Sequence, residues 1–201
     1  MGGAAAIEPI GKRERAKAAN REAILAAARR VFAQLGYEAA SVRDIIRGTD
    51  LASGTFYNYF RSKEEVFEAL SDDGARRFKP MLRAARETAV NFEDYLRTAL
   101  AAYFSFLLDE HRFEGRPVDE RRPHLRTDTP EMIAVYEEVR AGLEDAIARG
   151  MAPRVDADYL AHACIGIAQE VGEAMLRRSP PDVDEAVAFA ANLILRGLAG
   201  R

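Results

Sequence analysis

Ala40 to Leu70 reads ASVRDIIRGTDLASGTFYNYFRSKEEVFEAL, and three short helical patterns follow one another in it. Ser41 stands where an N-cap belongs, and Val42, Ile45 and Ile46 then repeat at helical spacing until Gly48 and Asp50 interrupt. A second short helix, Ser53 to Tyr59, follows with no room for a long loop, so the two must cross steeply over a shared apolar cluster. A third opens at Ser62, where Ser62 and Glu65 have capping-box spacing ahead of Val66, Phe67 and Leu70. The pattern predicts a helix-turn-helix.

The middle helix has an unusual composition for a core element. Thr55, Tyr57, Asn58 and Tyr59 carry hydroxyl and amide groups, Gly54 lies near its start, and only Phe56 and Phe60 offer a buried face. A helix that approaches a phosphate backbone needs a tip without a bulky side chain and hydroxyls that reach phosphate oxygens. Lys63, in the first turn of the next helix, adds a cation beside a helix N-terminus, and both favour an anion.

The run GTFYNYFRSKEEVF, preceded by a helix ending in LGYE, resembles the N-terminal DNA-binding domain of the TetR family of bacterial transcriptional regulators. The resemblance is close over about Asn20 to Leu70 and extends to the rest of the chain only as a general helical layout. Two positions depart from the family pattern, with Asp50 in place of the usual turn Gly and Ala52 in place of the usual Ser cap. Asp tolerates a left-handed turn, whereas Ala52 cannot cap with its side chain and leaves that task to Ser53. Position by position, the resemblance implies Ser53, Gly54, Thr55 and Asn58 near base edges, and Ser41, Tyr57, Tyr59 and Lys63 on phosphates, with Arg43 beside them. It also implies a double-stranded DNA operator, a small-molecule effector bound in the C-terminal domain, and a homodimer formed through the last two helices.

The 201-residue chain is 48% hydrophobic and 30% charged, an ordinary globular composition. Its net charge of −3 is unevenly spread. Residues 1–63 hold eleven Lys and Arg against six Asp and Glu, and residues 64–201 hold eighteen against twenty-six, so the basic end is the end with the helix-turn-helix. No run approaches the roughly 18 apolar residues of a membrane span, and MGGAAAIEPIGKRERAK has no continuous apolar stretch of the secretory kind. The expectation is a cytoplasmic protein with no membrane partner. Cys164 stands alone, which excludes an intrachain disulfide and a cysteine metal cluster.

The fold class expected is all-α, a three-helix DNA-binding domain joined to a larger helical domain for ligand binding and dimerisation. The divisions read as 1–19 for a flexible basic arm, 20–66 for the helix-turn-helix domain and 67–201 for the helical remainder. From a cap at Asn20, the apolar stripe Ile24, Leu25, Ala28, Val31, Phe32 and Leu35 runs to Gly36, after which Tyr37 packs back. The helix opened by Ser62 runs on toward Arg86, weakened at Gly74 and kinked at Pro80. Asn91 and Asp94 cap an apolar helix through Leu108, followed by a polar loop from Glu110 to Thr129. Pro130 to Gly150, Ala157 to Arg178 and Val183 to Leu198 complete the set. Small residues in the last two, among them Gly166, Gly172 and Gly197, ask for close helix packing.

His111, His124 and His162 are the only histidines, and no zinc-protease motif, nucleophile elbow or phosphate-binding glycine loop is present, so no enzyme and no cofactor is expected. Candidate ligand contacts are Tyr103, Phe106, Tyr136, His162 and Gln169, aromatic or polar-tipped groups in otherwise apolar helices, with His162 and Gln169 sharing a face. Arg116, Arg121, Arg122, His124 and Arg126 of the long loop are a basic set suited to an anion or to plain solvation. The function expected is a ligand-responsive repressor that binds a palindromic operator as a dimer and is released by a small molecule. The rival is a helical ligand-binding or scaffolding dimer that no longer reads DNA.

Overall fold

The structure is a computed structural model that describes residues 11–114 and 129–199, and every regular element in them is an α-helix. Two compact units divide at Phe67 and Glu68. The first holds α1 (Lys12–Ala39), α2 (Val42–Arg47), α3 (Ser53–Tyr57) and the opening turn of α4 (Lys63–Thr88).

Helix α1 starts at Lys12, eight residues ahead of the expected cap, and Asn20 lies inside it. The stretch from Lys12 to Ala19 has no apolar stripe, which is why periodicity misses it, but its Lys, Arg, Glu and Ala are strong helix formers that need none. Residues 12–19 are therefore helical, not a flexible arm, while residues 1–10 lie outside the described part. Gly36 interrupts α1 with φ 74°, a left-handed conformation that costs glycine nothing. The Tyr37 ring then stacks back with its centroid 5.5 Å from that of Phe32 and 4.9 Å from that of Phe67. Ile24, Leu25, Ala28 and Phe32 of α1, Ile45 of α2, Phe56 of α3, and Phe60 and Val66 are each at most 4% exposed and make up the buried interior of this unit. Phe56 of α3 and Phe60 just beyond it are 1% and 4% exposed.

In the second unit α4 continues unbroken across Pro80. Pro80 is exposed, so the backbone carbonyl it leaves without an amide partner can turn to water. Helix α5 (Phe92–Glu114) is capped as expected, with Asp94 N donating to Asn91 Oδ1 at 2.8 Å. It extends into the stretch read as loop, so residues 110–114 are helical. The rest of that stretch, 115–128, with Arg116, Arg121, Arg122, His124 and Arg126, lies outside the described residues. Helix α6 (Pro130–Ala148) starts under a Thr129 cap, α7 (Ala157–Leu176) under Asp156, and α8 (Val183–Ala199) under Asp182. Phe104 and Leu107 of α5, Leu143 of α6, Ala161 of α7 and Ala190 and Ala191 of α8 are at most 1% exposed and form the centre of one core. Gly172 lets α7 close onto α5, since a Cβ there would come within 2.6 Å of Leu107 Cδ2. Its smallness is thus used within the chain. Gly166 and Gly197 face open space instead.

Candidate nucleic-acid interface

Helix α2 begins with a complete capping box. Asp44 N donates to Ser41 Oγ at 3.3 Å, and Asp44 Oδ2 accepts from Ser41 N at 3.1 Å and from the Ser41 hydroxyl at 2.5 Å. These bonds, the hydroxyl first, hold the Asp44 carboxyl below its usual 3.8. Ser41 therefore has both of its donors committed to Asp44, and its role is to fix the start of α2.

The turn from α2 to α3 is clamped from α1. Arg30 Nη2 donates to the Gly48 carbonyl at 2.9 Å, and the Gly48 backbone approaches so closely that an added Cβ would lie 3.2 Å from Ala27 Cβ. Sequence reading missed Arg30, which stands on an arginine-rich helix where any guanidinium looks solvated. Asp50 makes the turn without a positive φ, since every positive φ among the described residues belongs to Gly36 and Gly150.

Helix α3 starts at Ala52 with no side-chain cap, and Ser53 does not supply one; the Ala52 carbonyl accepts from Thr55 N at 2.8 Å. Phe56 turns inward, and Ser53, Gly54, Tyr57 and Asn58 are exposed together on the opposite side. Tyr57 is 58% exposed although it is aromatic, and a Cβ built at Gly54 meets nothing within 4 Å. Thr55 and Tyr59 are half-buried at the edges of that face, and Arg43 and Arg47 of α2 are exposed. Of the nine residues expected at DNA, Ser41, Arg43, Ser53, Gly54, Tyr57 and Asn58 are exposed, and Thr55, Tyr59 and Lys63 are half-buried.

Lys63 has three acceptors. Its ammonium donates to the carbonyls of Tyr37 at 2.8 Å, Glu38 at 3.2 Å and Ala40 at 3.2 Å, and it lies 4.5 Å from the Tyr37 ring centroid. An ammonium group has three N–H donors, so its capacity is filled at the carbonyl end of α1, where a cation also meets the helix dipole. Lys63 thus caps the carbonyl end of α1. Beside it, Ser62 Oγ accepts from Glu65 N at 3.3 Å, while the Glu65 carboxylate reaches past Ser62 to Arg61 N at 2.7 Å. Glu64 accepts from the Tyr37 hydroxyl at 3.2 Å, and its carboxyl is held below its usual 4.5, first by the Ser62 hydroxyl.

Two short helices joined by a tight turn, braced by a longer helix and presenting a glycine, an amide and hydroxyls outward, suit a DNA groove. Residues 24–70 match the family described as bacterial regulatory proteins, tetR family. A 138-residue stretch, 68% of the chain, is 30% identical to the HTH-type transcriptional repressor AcnR of Corynebacterium efficiens. The chain belongs to the TetR family. It spans 66% of the length of that AcnR relative, just under two thirds. The fatty acid degradation regulator FadR of Bacillus halodurans superposes with a TM-score of 0.70 at 23% identity, over 95% of this chain and 98% of that one. FadR of Bacillus subtilis, solved in complex with stearoyl-CoA, gives 0.70 at 19% identity, over 90% and 98%. These TetR-family structures share the fold, a helix-turn-helix domain followed by a larger helical one.

The ligand candidates fall in different places. Tyr103 and Phe106 of α5 both pack on Phe78 of α4 with centroids 5.5 Å apart, and the Arg77 guanidinium lies 5.3 Å from the Phe106 centroid. Tyr136 of α6 and His162 of α7 touch each other, with the tyrosine hydroxyl 3.2 Å from His162 Nδ1. Nδ1 is also 2.9 Å from the Asp158 carbonyl, which can only accept, so the ring proton belongs on Nδ1. The Tyr136 hydroxyl donates to the Asp158 carboxylate, and that bond above all pushes its pKa up to about 12. His162 and Gln169 are both exposed on α7. Alternation with alanine made the outer face of α7 look apolar. The buried titratable groups are others: Tyr95, pushed up to about 12 by burial, Cys164, pushed up to about 11 by burial, and Glu138. Glu138 follows Val135 by three and precedes Gly142 by four, the one signal that places it on an inward stripe. Among the described residues no helix is long and apolar enough to cross a membrane.

Proposed function

We propose that this TetR-family regulator is a repressor that binds a palindromic operator as a dimer and is released by a small molecule. The observation that carries the DNA reading is the outward face of α3, where Ser53, Gly54, Tyr57 and Asn58 stand exposed over the buried anchors Phe56 and Phe60. Ser53, Gly54, Thr55 and Asn58 read base edges, and Tyr57, Tyr59 and Arg43 hold phosphates. Lys63 and Ser41 act from behind, fixing the helices that carry them. Two α3 helices enter successive major grooves about 34 to 36 Å apart.

The dimer reading rests on α7 and α8. Phe189 and Leu193 are 61% and 51% exposed, Tyr159 is 78% exposed, and Gly166 and Gly197 have no neighbour within 4 Å of an added Cβ. Large apolar groups in water beside glycines that no intrachain contact explains fit a second copy on a two-fold axis. An effector in the helical domain fits the aromatic cluster of Phe78, Tyr103 and Phe106. The ligand-bound Bacillus subtilis FadR supports such a use of the fold. The protein acts in the cytoplasm, where its DNA is. Selection of bound duplexes from a random library tests the reading. A two-fold symmetric motif with half-sites one helical turn apart supports it, and enrichment of no motif rejects it.

A further inference from the structure

Glu138 is the one charged residue buried among the described residues, its side chain only 7% exposed. It projects from α6 toward two guanidinium groups of α4 placed three residues apart. Arg83 Nη2 donates to Glu138 Oε2 at 3.2 Å, and Arg86 Nη1 lies 3.3 Å from Oε1 in ionic contact, without a hydrogen bond to that oxygen. The arginines keep more water than their partner, with side chains 53% and 28% exposed. Two further pairs lie along the same helix, Arg76 with Glu131 at 3.2 Å and Arg77 with Glu110 at 3.0 Å, but those acids are partly exposed. One turn beyond Glu138, Gly142 backs onto Tyr95 so tightly that a Cβ would come within 2.2 Å of its hydroxyl. Helix α6 is therefore seated without slack at this level.

A buried carboxylate held by two half-solvated arginines is a poor source of stability, because apolar groups of similar volume often do as well or better. It is a sensitive contact, since a small displacement either keeps the charges engaged or lets the arginines return to water. Such a contact can act as the two-state element that coupling between sites requires. Helix α4 carries both arginines in its C-terminal half, and its first turn, with Lys63, belongs to the DNA-reading unit. Resting on the ligand-responsive reading above, we infer that Glu138 is the positioning residue of the response. Engaged with Arg83 and Arg86 it holds α4 in the DNA-binding arrangement, and an occupant of the helical domain acts by drawing it away from them.

The test uses the full chain, with the duplex that the wild type selects and a scrambled duplex of equal length. Glu138→Gln lowers affinity for the selected duplex by about 5-fold or more, in the range of allosteric couplings, and leaves scrambled-duplex affinity unchanged. Arg83→Met does the same, the double variant is no worse than either single one, and Glu138→Asp, which keeps the charge, recovers most of the loss. A folded Glu138→Gln protein that binds the selected duplex like the wild type overturns the inference. So does a parallel loss on both duplexes that tracks a lower melting temperature, which marks a merely structural role. Should Glu138→Gln fail to fold, replacement of Glu138, Arg83 and Arg86 together by Met removes every unpaired charge, and the same two affinities decide. A wild type that selects no duplex rejects the underlying DNA reading, an outcome separate from a wild type that selects one and a variant that matches it.

Discussion

Lys63→Met separates two roles for one lysine by two independent readouts. The substitution keeps the aliphatic stem and removes the ammonium that bonds the carbonyls of Tyr37, Glu38 and Ala40. Charged hydrogen bonds contribute about 1.5 to 3 kcal/mol each when their groups are left unpaired in the interior. Lys63 is only half-buried and water can reach the freed carbonyls, so the three together are worth about one such bond, ~2 kcal/mol. The charge at the end of α1 adds about 0.5 kcal/mol and its contact with the Tyr37 ring a similar amount. The expected loss of about 2 to 3 kcal/mol lowers the melting temperature by roughly 5 to 10 °C. Calorimetry reads it. A phosphate-binding lysine behaves in the opposite way, with stability unchanged and the slope of log affinity against log salt reduced by about 0.9 per protomer, about 1.8 for the dimer. An unaltered melting temperature together with that loss of slope refutes the internal-cap assignment.

Asn58→Ala is expected to relax sequence preference at one position of each half-site by about 1 to 3 kcal/mol, read by competition between single-base variants of the selected duplex. Equal loss on every variant refutes the base-reading role. Asp44 and Glu64 have carboxyls held below their usual 3.8 and 4.5, so each contributes stability that is complete above those values. That contribution is lost as pH falls through the depressed folded-state values, and Ser41→Ala shrinks the part due to Asp44. Unfolding of the N-terminal unit followed through its tyrosines from pH 6 to pH 2 checks this, and identical acid profiles for wild type and Ser41→Ala count against it. Phe189→Glu places a charge on the proposed α7/α8 interface and is expected to yield monomers in sedimentation with a retained helical spectrum. A variant that stays dimeric moves the interface elsewhere.

Much of the fold is legible because its helices announce their ends. Ser41 and Asn91 each cap in the structure as their spacing implies, and Phe56, Phe60 and Ile45 face inward as the 3.6-residue period requires. The start of α1 is illegible to that logic, since Lys12 to Ala19 is helical by propensity and has no buried face. The outward side chains of α3 are legible in the sequence and their supports are not. Spacing along the chain cannot reveal that Lys63 meets carbonyls some 25 residues earlier, or that Arg30 reaches Gly48. Glu138 is concealed for a related reason, because a carboxylate on a helix reads as solvated until the arginines of another helix are seen to enclose it.

Proposed recognition of a DNA sequence through α3 is open to a direct test. Its most direct test is a salt titration of the purified protein against DNA from upstream of its own gene and against a scrambled duplex of equal length. Recognition through α3 gives saturable binding to the upstream duplex that exceeds the scrambled one by about 10³-fold or more at physiological salt, with both affinities falling as salt rises. Equal, weak affinity for the two, together with failure to enrich any sequence from a random library, would contradict it.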